Sequence, residues 1–229
     1  MTNTDQNQEK PDLLKRMASV TGHELRNPLA IISNSLYFIK TKLGAGGAAV
    51  DPKITKHIGI IEGEVKHSNA VIEEILAFTH TKELNRGPAA LNSAIKDLTG
   101  AYQFPASITV RTVPDPSDPC VNADMEYVSR ALRYVLDNAV QAMPEGGAVT
   151  IEASHDAKLA FLTVTDGGPG LPDGDGEKVF EPFFTTKPRG IGLGLTIARK
   201  FVEQQGGAVT AENVSGGGAK VTLSLPLLP

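Results

Sequence analysis

The chain has 229 residues, 41% of them apolar and 21% charged, the make-up of an ordinary soluble globular protein, which excludes wholesale disorder. A formal net charge of -4 and the lack of any polybasic run exclude a nucleic-acid binder and give no reason for direct membrane contact. The single cysteine, Cys120, cannot close an internal disulfide, no Cys/His cluster has zinc spacing, and nothing approaches the ~20 apolar residues of a bilayer span, so a cytoplasmic setting is expected.

Residues 1–10 are polar and are expected to form a disordered tail. From about residue 11 to 43 a seam steps by four and three through Leu14, Ala18, Thr21, Leu25, Pro28, Ile32, Ser35 and Ile39, which predicts a long packed helix. Gly44-Ala45-Gly46-Gly47 interrupts it. Asp51-Pro52 then offers an N-cap followed by a proline at the first helical position, and a second seam runs Ile54, Ile58, Ile61, Val65, Ser68, Ile72, Ile75, Thr79. One apolar stripe per helix leaves a lone antiparallel hairpin partly exposed to water. Two hairpins paired in a four-helix bundle remove that exposure, so a homodimer is expected, with packing of the helices on the rest of the same chain as the alternative.

The helical pattern stops at Arg86-Gly87-Pro88, which sets a domain boundary between 11–86 and 87–229. Beyond it the signals alternate: helix over about 91–103, strand over 108–113, helix over about 123–142, strands over 149–154 and 159–165, helix over about 192–205, and closing strands near Val209 and Val221. The expected class is α+β, a helical hairpin followed by a layered sandwich. Gly216-Gly217-Gly218 reads as a hairpin turn with no functional role.

Four features of this second half could handle phosphate, and each has a plain structural alternative. Asp166-Gly167-Gly168-Pro169-Gly170 ends an apolar strand with a carboxylate and a sharp turn, but most such sequences are turns only. Gly190-Ile191-Gly192-Leu193-Gly194-Leu195 opens a helix and offers free N–H groups to an anion, or merely allows close packing. Asn138 lies late in a helix as a neutral oxygen ligand suited to Mg²⁺, where an asparagine is by default a surface residue. Phe180-Glu181-Pro182-Phe183-Phe184 holds three of the eight phenylalanines and fits either a satellite core or the anchor of a mobile lid.

Taken in order, Asn138, the Asp166 motif, the Phe180 cluster and the Gly190 motif resemble the N, G1, F and G2 boxes of the sensor histidine kinases of two-component systems. His23-Glu24-Leu25-Arg26-Asn27-Pro28 resembles their H-box, so the resemblance spans nearly the whole chain after residue 11. It implies a dimerisation and phosphotransfer hairpin followed by an ATP-binding domain of the Bergerat (GHKL) type. The seam independently leaves His23 off the line Thr21, Leu25, Pro28, which directs its imidazole to solvent.

The resemblance further implies ATP and Mg²⁺ as cofactors and assigns roles. Asp166, with Gly168 and Gly170, would accept from the adenine amino group, and Asn138 would hold the metal. The Gly190, Gly192, Leu193, Gly194 and Leu195 segment would cradle the phosphates under a lid carrying Thr185, Thr186, Lys187 and Arg189. His23 would take the γ-phosphoryl group, Glu24 would act as general base, and Asn27 would orient a water for a phosphatase activity toward the partner. The ATP domain must swing to reach His23, with residues 86–88 as the natural hinge. The partner would be a response regulator receiver domain, and a separate sensor protein or a longer chain would supply the signal. The chain departs from the family pattern at Tyr134, where many members have asparagine, and at Gln141, where many have a basic residue. Two rivals are a conformational ATPase of the same superfamily and a non-catalytic dimeric scaffold; the His23 hairpin argues against the first, and the intact motif residues argue against the second.

Overall fold

Seven-residue spacing of apolar side chains shapes the first part of the protein, whose computed structural model describes residues 26, 29–41, 43–44, 52–79, 83–172, 176–187 and 191–228. Residues 29–41 form helix α1 and Pro52–Thr79 form α2. Lys40 pairs with Glu62 at 3.1 Å and Arg26 pairs with Glu73, and the reversed order of the partners makes the hairpin antiparallel. These exposed pairs orient the helices and contribute little stability.

The hairpin core is narrower than the expected seams and lies in a different register on α1. Leu36 is buried, with Leu29 and Leu43 half-buried seven residues to either side, opposite buried Ile58, Val65 and Ile72 on α2. Ile32, Ile39, Ile54 and Ile61, all expected in the seam, are exposed, as is Ser35. A two-helix hairpin can cover only the side chains that face its own partner helix, so the rest of each apolar stripe remains on the outside. The polar seam positions bond back along their own helices: Ser35 Oγ donates to the Ile31 carbonyl at 2.8 Å and Ser68 Oγ to that of Glu64 at 2.9 Å. His23, with its expected outward register, lies outside the described residues.

The chain divides into a unit that ends at Thr81 and a second that begins at Lys82. The second runs β1 (Gly87–Ala90), α3 (Leu91–Ala101), β2 (Ile108–Val113), β3 (Cys120–Ala123), α4 (Met125–Gln141), β4 (Gly147–His155), β5 (Leu159–Asp166), α5 (Gly194–Glu203), β6 (Ala208–Asn213) and β7 (Ala219–Pro226). A five-stranded sheet has the order β2-β4-β5-β7-β6, with β2 parallel to β4 and every other pair antiparallel. On β4, Val149, Ile151 and Ala153 are buried while Ala148 and Glu152 are exposed, so one sheet face carries the helices and the other meets solvent. Val128, Leu132, Val135 and Leu136 give α4 its buried stripe, and the Tyr127 ring meets Phe201 of α5 edge-on at 4.7 Å. No described helix is long and apolar enough to cross a membrane.

Two elements were not anticipated. β1 and β3 form a separate antiparallel ribbon, Gly87 opposite Ala123 and Ala90 opposite Cys120. Gly87-Pro88 reads as a break, yet a proline is tolerated in a strand that pairs along one edge. The ribbon overturns the expected hinge at residues 86–88. Just ahead of it the Asn85 N–H donates to Asp124 Oδ2 at 2.9 Å, and the Arg86 guanidinium donates to the Gln204 carbonyl at the end of α5. The segment from Asn85 onward is thus built into the second unit.

Candidate functional site: a buried carboxylate and two helix ends

The last residue of β5 is a buried carboxylate. Asp166 Oδ1 accepts from the Gly168 N–H at 2.9 Å and the Ala219 N–H at 3.3 Å, and Oδ2 accepts from no described residue. Two backbone donors on one oxygen fix the carboxylate plane and leave the other oxygen able to take a donor from a ligand. Gly168 packs on the carboxy end of α4, where an added Cβ would lie 3.2 Å from the Ala142 Cβ. Gly170 packs against Asn213, whose Oδ1 accepts from the Leu171 N–H at 2.6 Å.

The Gly216-Gly217-Gly218 turn, expected to lack any role, supports this carboxylate from below. Gly218 is buried at φ +96°, and a Cβ there would overlap the Asp166 carbonyl oxygen. A β6–β7 connection made only to turn the chain would not need so close an approach. Three consecutive glycines, more than a tight turn requires, were the available signal.

Asn138 sits one residue past Asp137 on α4, and Asp137 Oδ1 accepts from the Tyr102 hydroxyl at 2.6 Å. Burial, followed by this bond and the aspartate charge, pushes the Tyr102 phenol well above its ordinary pKa and keeps it a donor. The Asn138 side chain is part-buried, and its Oδ1 accepts from the Lys187 ammonium at 2.7 Å; Gln141 Oε1 accepts from the same group at 2.9 Å. Two neutral carboxamide oxygens that meet an ammonium at the end of α4 are donors of the kind a hard cation also takes. Tyr134 presents its ring to the position where a Gly194 Cβ would stand, 3.5 Å away.

Helix α5 opens with Leu193 at its N-cap, a residue that cannot cap, and no side chain there accepts from the first turn. Leu193 is buried, so only its backbone faces outward, while Leu195 is half-buried. With Gly194 next in line, the N-cap side chain supplies no acceptor to the first turn, an arrangement that favours an anion there. Gly192, at φ +73°, is pressed against the Phe183–Phe184 backbone, where a Cβ would come within 2.7 Å of the Phe183 carbonyl carbon.

The phenylalanine cluster splits its duties. Phe180 is buried under Arg199, whose guanidinium lies 3.9 Å from the ring centre, and the Thr196 hydroxyl donates to its carbonyl. Phe183 is 67% exposed at φ +67°, and Phe184 is half-buried. Thr186 is exposed, and Thr185 Oγ1 accepts from the Lys187 N–H at 3.1 Å. The structure therefore gathers Asn138, Asp166, Gly168, Lys187 and Gly194 around the carboxy half of α4, with Gly170 and Gly192 supporting the flanking loops. His23, Glu24, Asn27, Arg189 and Gly190 lie outside the described residues. Gln141, expected only as a departure from the family pattern, is a second acceptor for the lid lysine.

Residues 123–229 match the family described as histidine kinase-, DNA gyrase B-, and HSP90-like ATPases. The sensor histidine kinase ZraS of Escherichia coli O157:H7 is 30% identical over 222 residues, covering 96% of this chain and 47% of that protein. The chain spans about half the length of the curated relatives it matches. Among solved structures, the mycobacterial sensor histidine kinase MprB is 31% identical, with a TM-score of 0.56 over 63% of this chain and 99% of that one. The histidine kinase ThkA in complex with the response regulator protein TrrA superimposes with a TM-score of 0.70 at 27% identity, over 97% of this chain and 64% of that one. With an ATPase fold in the second unit and 31% identity through virtually the whole of a sensor-kinase domain, the chain belongs to the sensor histidine kinases.

Proposed function

We propose that the chain is the autophosphorylating core of a sensor kinase: it binds ATP at the α4 cradle, transfers the γ-phosphoryl group to His23, and passes it to an aspartate of a response regulator. The observation that carries this is Asp166, a buried carboxylate with one oxygen locked by two amides and the other available to the adenine amino group. A carboxylate accepts from adenine and rejects the carbonyl that guanine presents at the same position. The ThkA–TrrA complex supports the choice of a response regulator as acceptor.

Asn138 Oδ1 would hold Mg²⁺, with Gln141 beside it; the ion would neutralise charge across the phosphates. The amino end of α5, which has no side-chain cap at Leu193, would receive the phosphate oxygens through its N–H groups, and Lys187 and Arg189 would supply positive charge to them. Positioning does most of the remaining work. His23 attacks in line through a neutral imidazole nitrogen, Glu24 takes up the ring proton, and Asn27 orients the water for the reverse, phosphatase activity.

The exposed isoleucines Ile32, Ile39, Ile54 and Ile61 support a homodimer, since a second hairpin would cover what one leaves open. The pivot of the ATP unit is placed ahead of Asn85, because that residue and Arg86 are bonded into the second unit. A cytoplasmic setting and a signal from a separate sensor protein complete the proposal.

Incubation with γ-labelled ATP and Mg²⁺ tests it. The protein should gain an acid-labile, base-stable phosphate, and His23→Gln should abolish the label. Label that survives this substitution would sink the kinase assignment.

A further inference from the structure

One helix holds Phe180 at both its backbone and its ring. Thr196 and Arg199 stand three residues apart on α5 and therefore on one face of it. The Thr196 hydroxyl donates to the Phe180 carbonyl at 3.0 Å, and the Arg199 guanidinium lies 3.9 Å from the centre of the Phe180 ring. That ring is buried, which strengthens its attraction for a cation. Arg199 also donates to Glu177 Oε2 at 2.8 Å, just ahead of the short helical turn Lys178–Phe180, and to the Val209 carbonyl of β6 at 3.5 Å. An ion pair with an exposed glutamate contributes little, so the ring contact and the hydroxyl bond are the main fastenings.

Three residues further on, the same segment returns to the start of the helix. The Phe183 N–H donates to the Gly192 carbonyl at 3.0 Å, two residues before α5 begins. A trans peptide points its N–H opposite to its C=O, so the Leu193 N–H is turned away from Phe183. The ring of contacts is closed: α5 holds Phe180, Phe180 sets the place of Phe183, and Phe183 fixes the peptide from which α5 starts. Phe183 keeps φ +67° within it, a left-handed angle that a phenylalanine adopts only where its surroundings impose it.

We propose that Arg199 is a positioning residue for phosphate recognition. By fastening Phe180 to α5 it holds the Gly192–Leu193 peptide in the orientation that presents the Leu193 N–H to the phosphates, and Thr196 shares the task. The inference rests on the ATP-binding proposal above. It concerns the phosphate end of the nucleotide alone, because Asp166, the proposed acceptor for adenine, is fixed separately by the Gly168 and Ala219 N–H groups.

The test compares ADP with adenosine, each displacing a fluorescent nucleotide from the full chain. Arg199→Met keeps much of the aliphatic stem and removes the cation, and Thr196→Val keeps the side-chain shape and removes the hydroxyl. Each should weaken ADP by about three- to tenfold, the range of one misdirected hydrogen bond, and leave adenosine within about twofold. Arg199→Lys, which restores a cation over the ring, should recover part of the ADP loss. A role in stability alone would lower the melting temperature and move both ligands together or neither. An unchanged ratio of ADP to adenosine affinity in Arg199→Met, or in Thr196→Val should the first not fold, overturns the positioning role and spares the ATP-binding proposal. A wild-type chain that binds no ADP overturns both.

Discussion

Alanine at Gly218 and at Gly216 should have unlike consequences, although the two glycines share a turn and nearly the same backbone angle, φ +96° and +98°. An L side chain at such an angle costs about 1 kcal/mol in either place. At Gly216 no atom lies within 4 Å of the new Cβ, so the cost stops there. A change of that size lowers the melting temperature by about 2–4 °C in a protein of this length. At Gly218 the Cβ overlaps the carbonyl oxygen of Asp166, and relief requires the end of β5 to move by about 1 Å. The total for Gly218→Ala should reach about 3 kcal/mol. Because the displaced residue carries the carboxylate proposed to accept from adenine, ADP affinity should fall at least about tenfold, the loss of roughly one charged hydrogen bond. Scanning fluorimetry and displacement of a fluorescent nucleotide measure the two effects. A Gly218→Ala protein that melts with Gly216→Ala and binds ADP as tightly as wild type refutes the assigned support of Asp166.

Asp124→Ala removes the N-cap of α4 and unpairs the Asn85 N–H, and should cost about 1–3 kcal/mol, read as a lower urea midpoint. Hydrogen bonds from His155, then from the Ser117 hydroxyl and amide, lower the Asp115 carboxyl to about 2, below its ordinary value. Its contribution is therefore present in full above about pH 4 and lost as the pH falls through about 2. Amide protection of Ser117 should follow that window, and Asp115→Asn should abolish the dependence. Light scattering should report a dimer for the full chain. Lysines at both Ile32 and Ile61, exposed positions that leave the Leu36–Val65 core intact, should shift it to monomer; a monomeric wild type would remove the bundle proposal.

The second unit was more legible than the first because its signals are local. Strand β2 occupies the expected 108–113, and α4 forms within the expected 123–142, where clean apolar periodicity and the N-cap at Asp124 agree. The hairpin seam on α1 was read one position off the buried line. A periodic pattern records every apolar face, including those that a single hairpin cannot cover, and Ile32 and Leu36 are equally apolar on paper. The β1–β3 ribbon was hidden because strands of four residues carry too little alternation. The Lys187–Asn138 contact joins positions 49 residues apart, and the Gly218–Asp166 approach is a tertiary fact with only a glycine run to hint at it.

Asp124 binds three segments at once: Oδ1 takes the Glu126 N–H, Oδ2 takes the Asn85 N–H, and its own N–H donates to the buried Gln205 side chain. Mechanically, this makes the aspartate a load point. Tension entering the second unit along the chain at Asn85 falls first on the carboxylate that caps α4, the helix whose far end holds Asn138. The entry of the chain into the second unit and the Asn138 end of the candidate site are therefore the two ends of one helix.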